Sequence, residues 1–133
     1  MKIDGGCHCG SVAYEADIDP ESVVICHCTD CQALSGTAFR TVARAPGPSF
    51  RITRGEPKQY VKTAESGNKR VQGFCAECGT PIYSAALDGA TFNIRLGSCR
   101  QRAQLMPKMQ IWTRSALPWL PRLGEVARFE REP

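Results

Sequence analysis

Eight cysteines in short clusters constrain the fold of this chain more than any other feature of its sequence. They form a Cys-x-Cys pair, a Cys-x-Cys-x-x-Cys triplet, a Cys-x-x-Cys pair and one isolated residue. In chain order these are Cys7 and Cys9; Cys26, Cys28 and Cys31; Cys75 and Cys78; and Cys99. Sulfurs so close in sequence converge readily on one ion, whereas adjacent positions are poorly placed to bridge each other as disulfides. We therefore expect the clusters to bind metal.

Composition places these clusters in an ordinary globular protein. With 133 residues, of which 42% are hydrophobic and 23% charged, the chain has the size and make-up of one domain covering residues 1–133. No apolar run approaches the roughly 18 residues that cross a bilayer, and the first residues lack the apolar stretch of a secretory signal. We therefore expect a cytoplasmic protein with no membrane partner, in which thiols act as ligands or catalysts.

The spacing of the clusters suggests how the ligands divide. Two separated pairs can close a tetrahedral site of four thiolates, which suits structural zinc and could also hold an iron–sulfur cluster. The triplet supplies three ligands and leaves a fourth position open for water or substrate, as at catalytic zinc sites. Alternatively, Cys99 closes that second site as its fourth ligand. Spacing alone does not choose between these two divisions.

The two histidines, His8 and His27, each lie between two cysteines. A residue flanked by two ligands on extended backbone points away from the metal. We therefore expect both histidines to lie beside the sites or at the surface and not to ligate.

A period of two between apolar and polar residues dominates the chain and predicts β-strands. The clearest alternation covers residues 12–18 and 92–97, each with one apolar face. Weaker strand patterns cover residues 22–26, 38–45, 49–54, 58–63, 70–75, 81–87 and 109–114. The sequence therefore predicts an all-β fold.

Helical signal is confined to Thr29–Ser35, which a glycine at Gly36 would end. The Asp88-Gly89 dipeptide predicts a hairpin turn. The proline-rich stretches at 45–48 and Leu117–Arg122 are expected to be irregular. We expect the loops between the predicted strands to carry the cysteines.

Basic residues concentrate between 40 and 70, where the sequence has eight basic residues and only two acidic ones, Glu56 and Glu65. The whole chain carries a net charge of +4. Such a stretch could attract an anionic small molecule or nucleic acid. Because the run is interrupted and poor in aromatic residues, we favour the interpretation that these charges face solvent and prevent exposed strand edges from pairing with other chains. We expect no nucleic-acid partner.

Three motifs, taken in order, carry a specific resemblance. They are GGCHCGSVAY at Gly5–Tyr14, CHCTDCQ at Cys26–Gln32 and FCAECGT at Phe74–Thr80. The pattern continues through NIRLGS at 93–98 to Ile111, Trp112 and Trp119. Together they resemble the family of glutathione-dependent formaldehyde-activating enzymes, which includes the centromere-protein-V-like proteins. The resemblance covers about residues 3–119.

This resemblance implies a single-domain β-tent of coiled β-sheets, with zinc-binding loops and two zinc ions per chain. By motif position, the structural zinc would be held by Cys7, Cys9, Cys75 and Cys78. The second zinc, at the active site, would be held by Cys26, Cys28 and Cys31, which are therefore the candidate catalytic residues. The family motif does not require a cysteine at Cys99, which favours an open second site and a buried, small-hydrophobe role for this residue. The sequence departs from the family at Gln110, where many relatives carry histidine.

The resemblance further implies carbon–sulfur lyase chemistry, in which glutathione adds to formaldehyde to give S-hydroxymethylglutathione, or the reverse. The expected partner is thus a small-molecule thiol such as glutathione. Zinc favours the thiolate form of an incoming thiol, which is the nucleophile. Arg40 and Arg44 share a strand face and are candidates to bind glutathione carboxylates. The alternative is a non-catalytic, zinc-stabilised module that binds a protein or nucleic acid, which four sulfurs around each ion would favour.

Overall fold

The computed structural model of the protein describes residues 1–133 as ten β-strands in two sheets, with one α-helix. The strands are β1 (Lys2–Gly6), β2 (Ala13–Asp17), β3 (Val24–Cys26), β4 (Arg40–Pro46), β5 (Phe50–Arg54), β6 (Lys58–Thr63), β7 (Lys69–Phe74), β8 (Pro81–Ala86), β9 (Thr91–Arg95) and β10 (Met109–Ile111). The helix is α1 (Thr29–Ser35). Short 3-10 helices cover Pro20–Ser22, Gly47–Ser49, Leu96–Ser98, Arg102–Gln104, Thr113–Ser115 and Leu120–Glu125. The predicted all-β class is confirmed.

The chain passes repeatedly between the two sheets. The small sheet has the order β1-β2-β5, and the large sheet has the order β10-β3-β4-β9-β8-β7-β6. All pairs are antiparallel except β10, which returns to pair with β3 in parallel. None of the helices has the length and apolar character that a bilayer crossing requires.

The hydrophobic core lies between the two sheets. Tyr14 of β2 is 1% exposed, and Ile82 of β8 and Ile94 of β9 are completely buried in the same cluster. Phe50 of β5 stacks on Phe92 of β9 with ring centroids 4.4 Å apart. The apolar faces predicted for residues 12–18 and 92–97 are therefore the faces that join the sheets.

The opposite face of the large sheet is polar because strand residues alternate between the two faces. On β4, Ala43 and Ala45 belong to the core, so the side chains of Arg40 and Arg44 project the other way. In the antiparallel register Arg44 lies beside Asn93 of β9. This polar face of the sheet is the floor of the cavity described below.

Most strand predictions are confirmed within two residues, as is the helix, and four segments differ. The stretch predicted to be irregular at 45–48 is the end of β4 followed by the 3-10 helix Gly47–Ser49. The first strand, β1, was not predicted, since Gly5 and Gly6 have low strand propensity. The strand predicted over 109–114 stops at Ile111, because Trp112 adopts a left-handed backbone with φ 57°. In the segment predicted to be irregular at Leu117–Arg122, a 3-10 helix begins at Leu120.

Gly5 is the point where β1 comes closest to the segment after β9. A Cβ atom at this position would overlap the backbone oxygen of Ser98 and lie 2.6 Å from the Tyr14 hydroxyl. We expect Gly5→Ala to lower the free energy of unfolding by about 1–3 kcal/mol, as overpacking does, in chemical denaturation. Gly97→Ala is the control, since nothing lies within 4 Å of a methyl group added at that position, and its effect should stay within about 0.5 kcal/mol. Equal effects of the two substitutions would contradict the close approach.

Candidate functional site

Two pairs of cysteines far apart in sequence meet in one cluster, which we call the four-cysteine cluster: Cys7, Cys9, Cys75 and Cys78. Their Sγ atoms all lie within 4.8 Å of one another. The Sγ atoms of Cys7 and Cys9 are 3.6 Å apart, and those of Cys9 and Cys75 are 3.7 Å apart. Zinc–sulfur bonds of about 2.3 Å in a tetrahedron place sulfurs about 3.8 Å apart. The cluster therefore fits a zinc ion.

Two similar turns present these sulfurs. The backbone N–H of Gly10 bonds the carbonyl of Cys7, and that of Gly79 bonds the carbonyl of Cys75. Both glycines have positive φ, 85° and 77°, which side-chain-bearing residues rarely adopt. The first turn lies in the loop joining β1 to β2 in the small sheet, and the second lies in the loop joining β7 to β8 in the large sheet. The four-cysteine cluster therefore ties the two sheets together.

Hydrogen bonds prepare this cluster for metal. The Thr80 hydroxyl lies 3.1 Å from the Cys78 sulfur and lowers the pKa of that thiol to about 5. Burial raises the pKa of Cys7, but the backbone N–H of Val12 and the hydroxyl of Ser11 outweigh it, so the pKa is lowered to about 7. Because the thiolate is the form that binds metal, both sulfurs are poised as ligands.

The second cluster, the cysteine triplet of Cys26, Cys28 and Cys31, surrounds the start of α1. Cys26 ends β3, and Cys28 is the residue that caps the helix. The Cys28 sulfur accepts a hydrogen bond from the backbone N–H of Cys31 at 3.3 Å. The three sulfurs lie within 4.8 Å of one another. The end of β3, the helix cap and the first turn of a seven-residue helix thus bring three sulfurs together within one short segment.

Crowding of the three sulfurs favours a bound cation. The thiol of Cys31 beside it lowers the pKa of Cys26, while Cys26 and burial raise the pKa of Cys31. Three thiols this close do not all ionise without a compensating positive charge. A divalent cation supplies that charge, so the donor set of the triplet also fits zinc.

Cys99 lies outside both clusters. It is completely buried in the core, and its sulfur donates to the side-chain oxygen of Gln101 at 3.4 Å. The triplet therefore has three sulfurs and no fourth, which matches the open division of the ligands. Ligation and the catalytic role of the triplet stay predictions.

Neither histidine belongs to a cluster. His8 is exposed. His27 is 3% exposed, and its Nε2 lies 2.7 Å from Oε1 of Gln110. Gln110 and His27 line a groove apart from the cavity beside the triplet. Gln110, where the sequence departs from the family that it resembles, therefore does not line the cavity beside the triplet.

The triplet opens into a cavity of about 470 Å³ above the polar face of the large sheet. Its lining is strongly basic. The basic residues are Arg40, Arg44, Lys62, Arg70 and Arg95. Of the two acidic residues, Asp30 pairs with Lys62 at 3.1 Å and Glu65 pairs with Arg114 at 2.7 Å. Four arginines therefore line the cavity without a carboxylate partner.

Two of these arginines are buried side by side. Arg40 and Arg95 are 6% and 7% exposed, and both donate to Oε1 of Gln72, at 3.2 and 2.6 Å. Burial, with the neighbouring Arg40, lowers the pKa of Arg95 to about 9. The sequence interpretation of Arg40 as a solvent-facing charge is thus wrong. The sequence alone did not identify Arg95 and Gln72 as site residues. The available signal was that each is a polar residue in a predicted strand, on the face that turns out to line the cavity.

Trp112 and its neighbours close one side of the cavity. Trp112 is the one non-glycine residue with positive φ, and such strain costs on the order of 1–3 kcal/mol. The guanidinium of Arg114 lies 5.0 Å from the Trp112 ring centroid and pairs with Glu65 in the loop between β6 and β7. Arg114 therefore connects the strained turn to the loop between β6 and β7, which also lines the cavity.

Comparisons with known proteins point to one family. The profile of the family described as glutathione-dependent formaldehyde-activating enzyme matches residues 2–115. An uncharacterized lyase of Schizosaccharomyces pombe is 28% identical over 89 residues, which span 66% of this chain and 61% of that protein. A crystal structure of a Rhodobacter sphaeroides protein aligns with a TM-score of 0.61 and 19% identity, over 83% of this chain and 99% of the other, and supports the fold alone.

The two clusters predict different consequences of losing one sulfur. Cys75→Ser should unfold the protein or make it insoluble, because a structural zinc site contributes on the order of 10–16 kcal/mol. Cys28→Ser should fold and bind one zinc fewer. Zinc per chain by elemental analysis and thermal unfolding by circular dichroism distinguish the two.

The matched control for both variants is Cys99→Ala, which removes a cysteine outside the clusters and should leave both metals bound. If Cys75→Ser and Cys28→Ser behaved alike, the division between a structural and an open site would be wrong.

Proposed function

The chain belongs to the family of glutathione-dependent formaldehyde-activating enzymes, and on this premise we propose that it is a zinc-dependent carbon–sulfur lyase. Its substrates are a small-molecule thiol, first of all glutathione, and formaldehyde. Its relative in S. pombe bears the name of a lyase, which supports the same class. Since the alignment spans only 61% of that relative, this support concerns the shared region.

The observation that carries the proposal is the three-sulfur cluster at the wall of a cation-lined cavity. The cavity volume of about 470 Å³ falls within the range of roughly 300–1,000 Å³ typical of small-molecule sites. Glutathione brings a thiol and two carboxylates. A metal-binding triplet and unpaired arginines in one cavity match both kinds of group.

The reaction balances without an oxidant or a reductant. The thiol sulfur forms a bond to the formaldehyde carbon, the carbonyl π bond breaks, and the thiol proton ends on the new hydroxyl oxygen. In the reverse direction the hydroxyl loses its proton, the carbonyl π bond forms as the carbon–sulfur bond breaks, formaldehyde leaves and the thiolate regains a proton. The step that needs help at neutral pH is loss of the thiol proton, since a free thiol has a pKa near 8.5.

The residues of the chain divide this work. Cys26, Cys28 and Cys31 would hold zinc, which when bound favours the thiolate form of a thiol and thus supplies the nucleophile. The arginines of the cavity floor lower the free energy of anionic groups on the substrate through charge-assisted hydrogen bonds.

The alternative of a non-catalytic binding module loses its main argument. That hypothesis was favoured by four sulfurs around each ion, with Cys99 as the extra ligand. Cys99 is buried in the core and lies in neither cluster. The open position and the adjacent cavity favour the enzyme.

Exchange NMR tests the proposal. We expect zinc-loaded protein to raise the rate of exchange between glutathione and S-hydroxymethylglutathione above the spontaneous rate. Cys28→Ser, shown to be folded by circular dichroism, should lose this effect, because one ligand of the triplet is missing.

Cys99→Ala serves as the control for a cysteine outside the site and should retain the acceleration. No rate enhancement with glutathione or with any of several other thiols, in protein that binds two zinc ions, would rule the lyase out.

A further inference from the structure

Two guanidinium groups on the cavity floor are buried without an anionic partner. Arg40 and Arg95 are each more than nine-tenths buried and line the cavity. Neither forms an ion pair, and the side-chain oxygen of Gln72 is their one shared hydrogen-bond partner. The Nε atoms of both arginines are buried and have no partner.

Burying these two guanidinium groups is unfavourable in free energy unless an anion binds beside them. Buried charges in proteins are normally paired, since removing an ion from water without a partner is strongly unfavourable. Two like charges bonded to the same amide oxygen also repel each other. An oxyanion beside them would supply both the missing charge and hydrogen-bond acceptors.

The cysteine triplet does not neutralise this positive charge. Three thiolates around one divalent cation carry a formal charge of −1, whereas the two guanidinium groups carry +2. The carboxylates of Asp30 and Glu65 are engaged with Lys62 and Arg114. Arg44 and Arg70 on the same floor have no carboxylate partner and add further positive charge. The cavity therefore keeps a net positive charge that a ligand must balance.

We propose that Arg40 and Arg95, held side by side by Gln72, bind a carboxylate of the substrate, so that the cavity selects thiols and thiol adducts that carry a carboxylate. The planar guanidinium fork matches the two oxygens of a carboxylate. The three side chains stand on β4, β9 and β7 of the large sheet, in which β4 pairs with β9 and β8 lies between β9 and β7. Sites built on strands hold their side chains more precisely than sites on loops. The thiol part of this assignment rests on the proposed function, but the carboxylate site can be tested without turnover.

Calorimetric titration of the zinc-loaded protein separates sulfur from carboxylate. S-methylglutathione carries the carboxylates but no free thiol, and 2-mercaptoethanol carries a thiol but no carboxylate. We expect S-methylglutathione to bind, with an affinity that falls as salt screens the charges. Inorganic phosphate is the comparison for other oxyanions and should bind more weakly.

Gln72→Glu is the decisive variant. It places a carboxylate between the two guanidinium groups at nearly unchanged volume, so the protein should fold at least as well. The built-in anion should lower the affinity for S-methylglutathione about tenfold or more, the usual scale for losing a charged hydrogen bond. Gln59→Glu makes the same charge change on β6, where Gln59 bonds Tyr83 and does not line the cavity, and should leave the affinity unchanged.

Arg40→Gln removes one of the two charges and tests the same site should Gln72→Glu fail to accumulate. The proposal is overturned if wild-type protein does not bind S-methylglutathione, if the cavity variants bind it as tightly as Gln59→Glu, or if phosphate binds more tightly. Binding that responds to these variants without any glutathione–formaldehyde exchange would uphold the carboxylate site and defeat the lyase. Exchange that is equally fast with neutral and carboxylated thiols would uphold the lyase and defeat the carboxylate site.

Discussion

The meeting of four sulfurs between two sheets is the contact on which the rest of the structure depends. The turn after β1 and the turn after β7 belong to different sheets, yet the Sγ atoms of Cys9 and Cys75 lie 3.7 Å apart. A structural zinc site can supply on the order of 10–16 kcal/mol, comparable with the roughly 5–15 kcal/mol that stabilise a whole domain. An ion at this position would fix the relative placement of the sheets, and with it the large sheet that forms the cavity floor.

The large sheet performs two tasks because its side chains alternate. One face contributes Ala43, Ile94 and Tyr83 to the core, and the other face contributes Arg40 and Arg95 to the cavity. A shift of one residue in strand register would exchange the two sets. Core packing therefore determines the composition of the cavity as well as stability. Because Ile94 packs in the core, its neighbour Arg95 lies on the cavity face.

The sequence predicted much of this organisation, for identifiable reasons. Cysteine spacing predicted that neighbouring sulfurs converge, because ligand geometry is local within each turn. The family resemblance joined the distant pairs and favoured leaving Cys99 out. Period-two alternation predicted the core faces. It did not reveal that the polar face encloses a cavity, because an arginine such as Arg95 alternates in the same way whether it meets water or another element. The sequence also did not predict the left-handed backbone at Trp112, since this conformation is usually signalled by a glycine and none is present there.

The parallel return of β10 to pair with β3 has a consequence for biosynthesis. Cys26, at the end of β3, and the helix that follows leave the ribosome long before Met109–Ile111, because the chain emerges from its N-terminal end. Until the last strand arrives, the edge of β3 is uncovered and the wall formed by Ile111 and Trp112 is missing. The three thiols of the triplet are therefore present on the nascent chain before the wall beside them is complete.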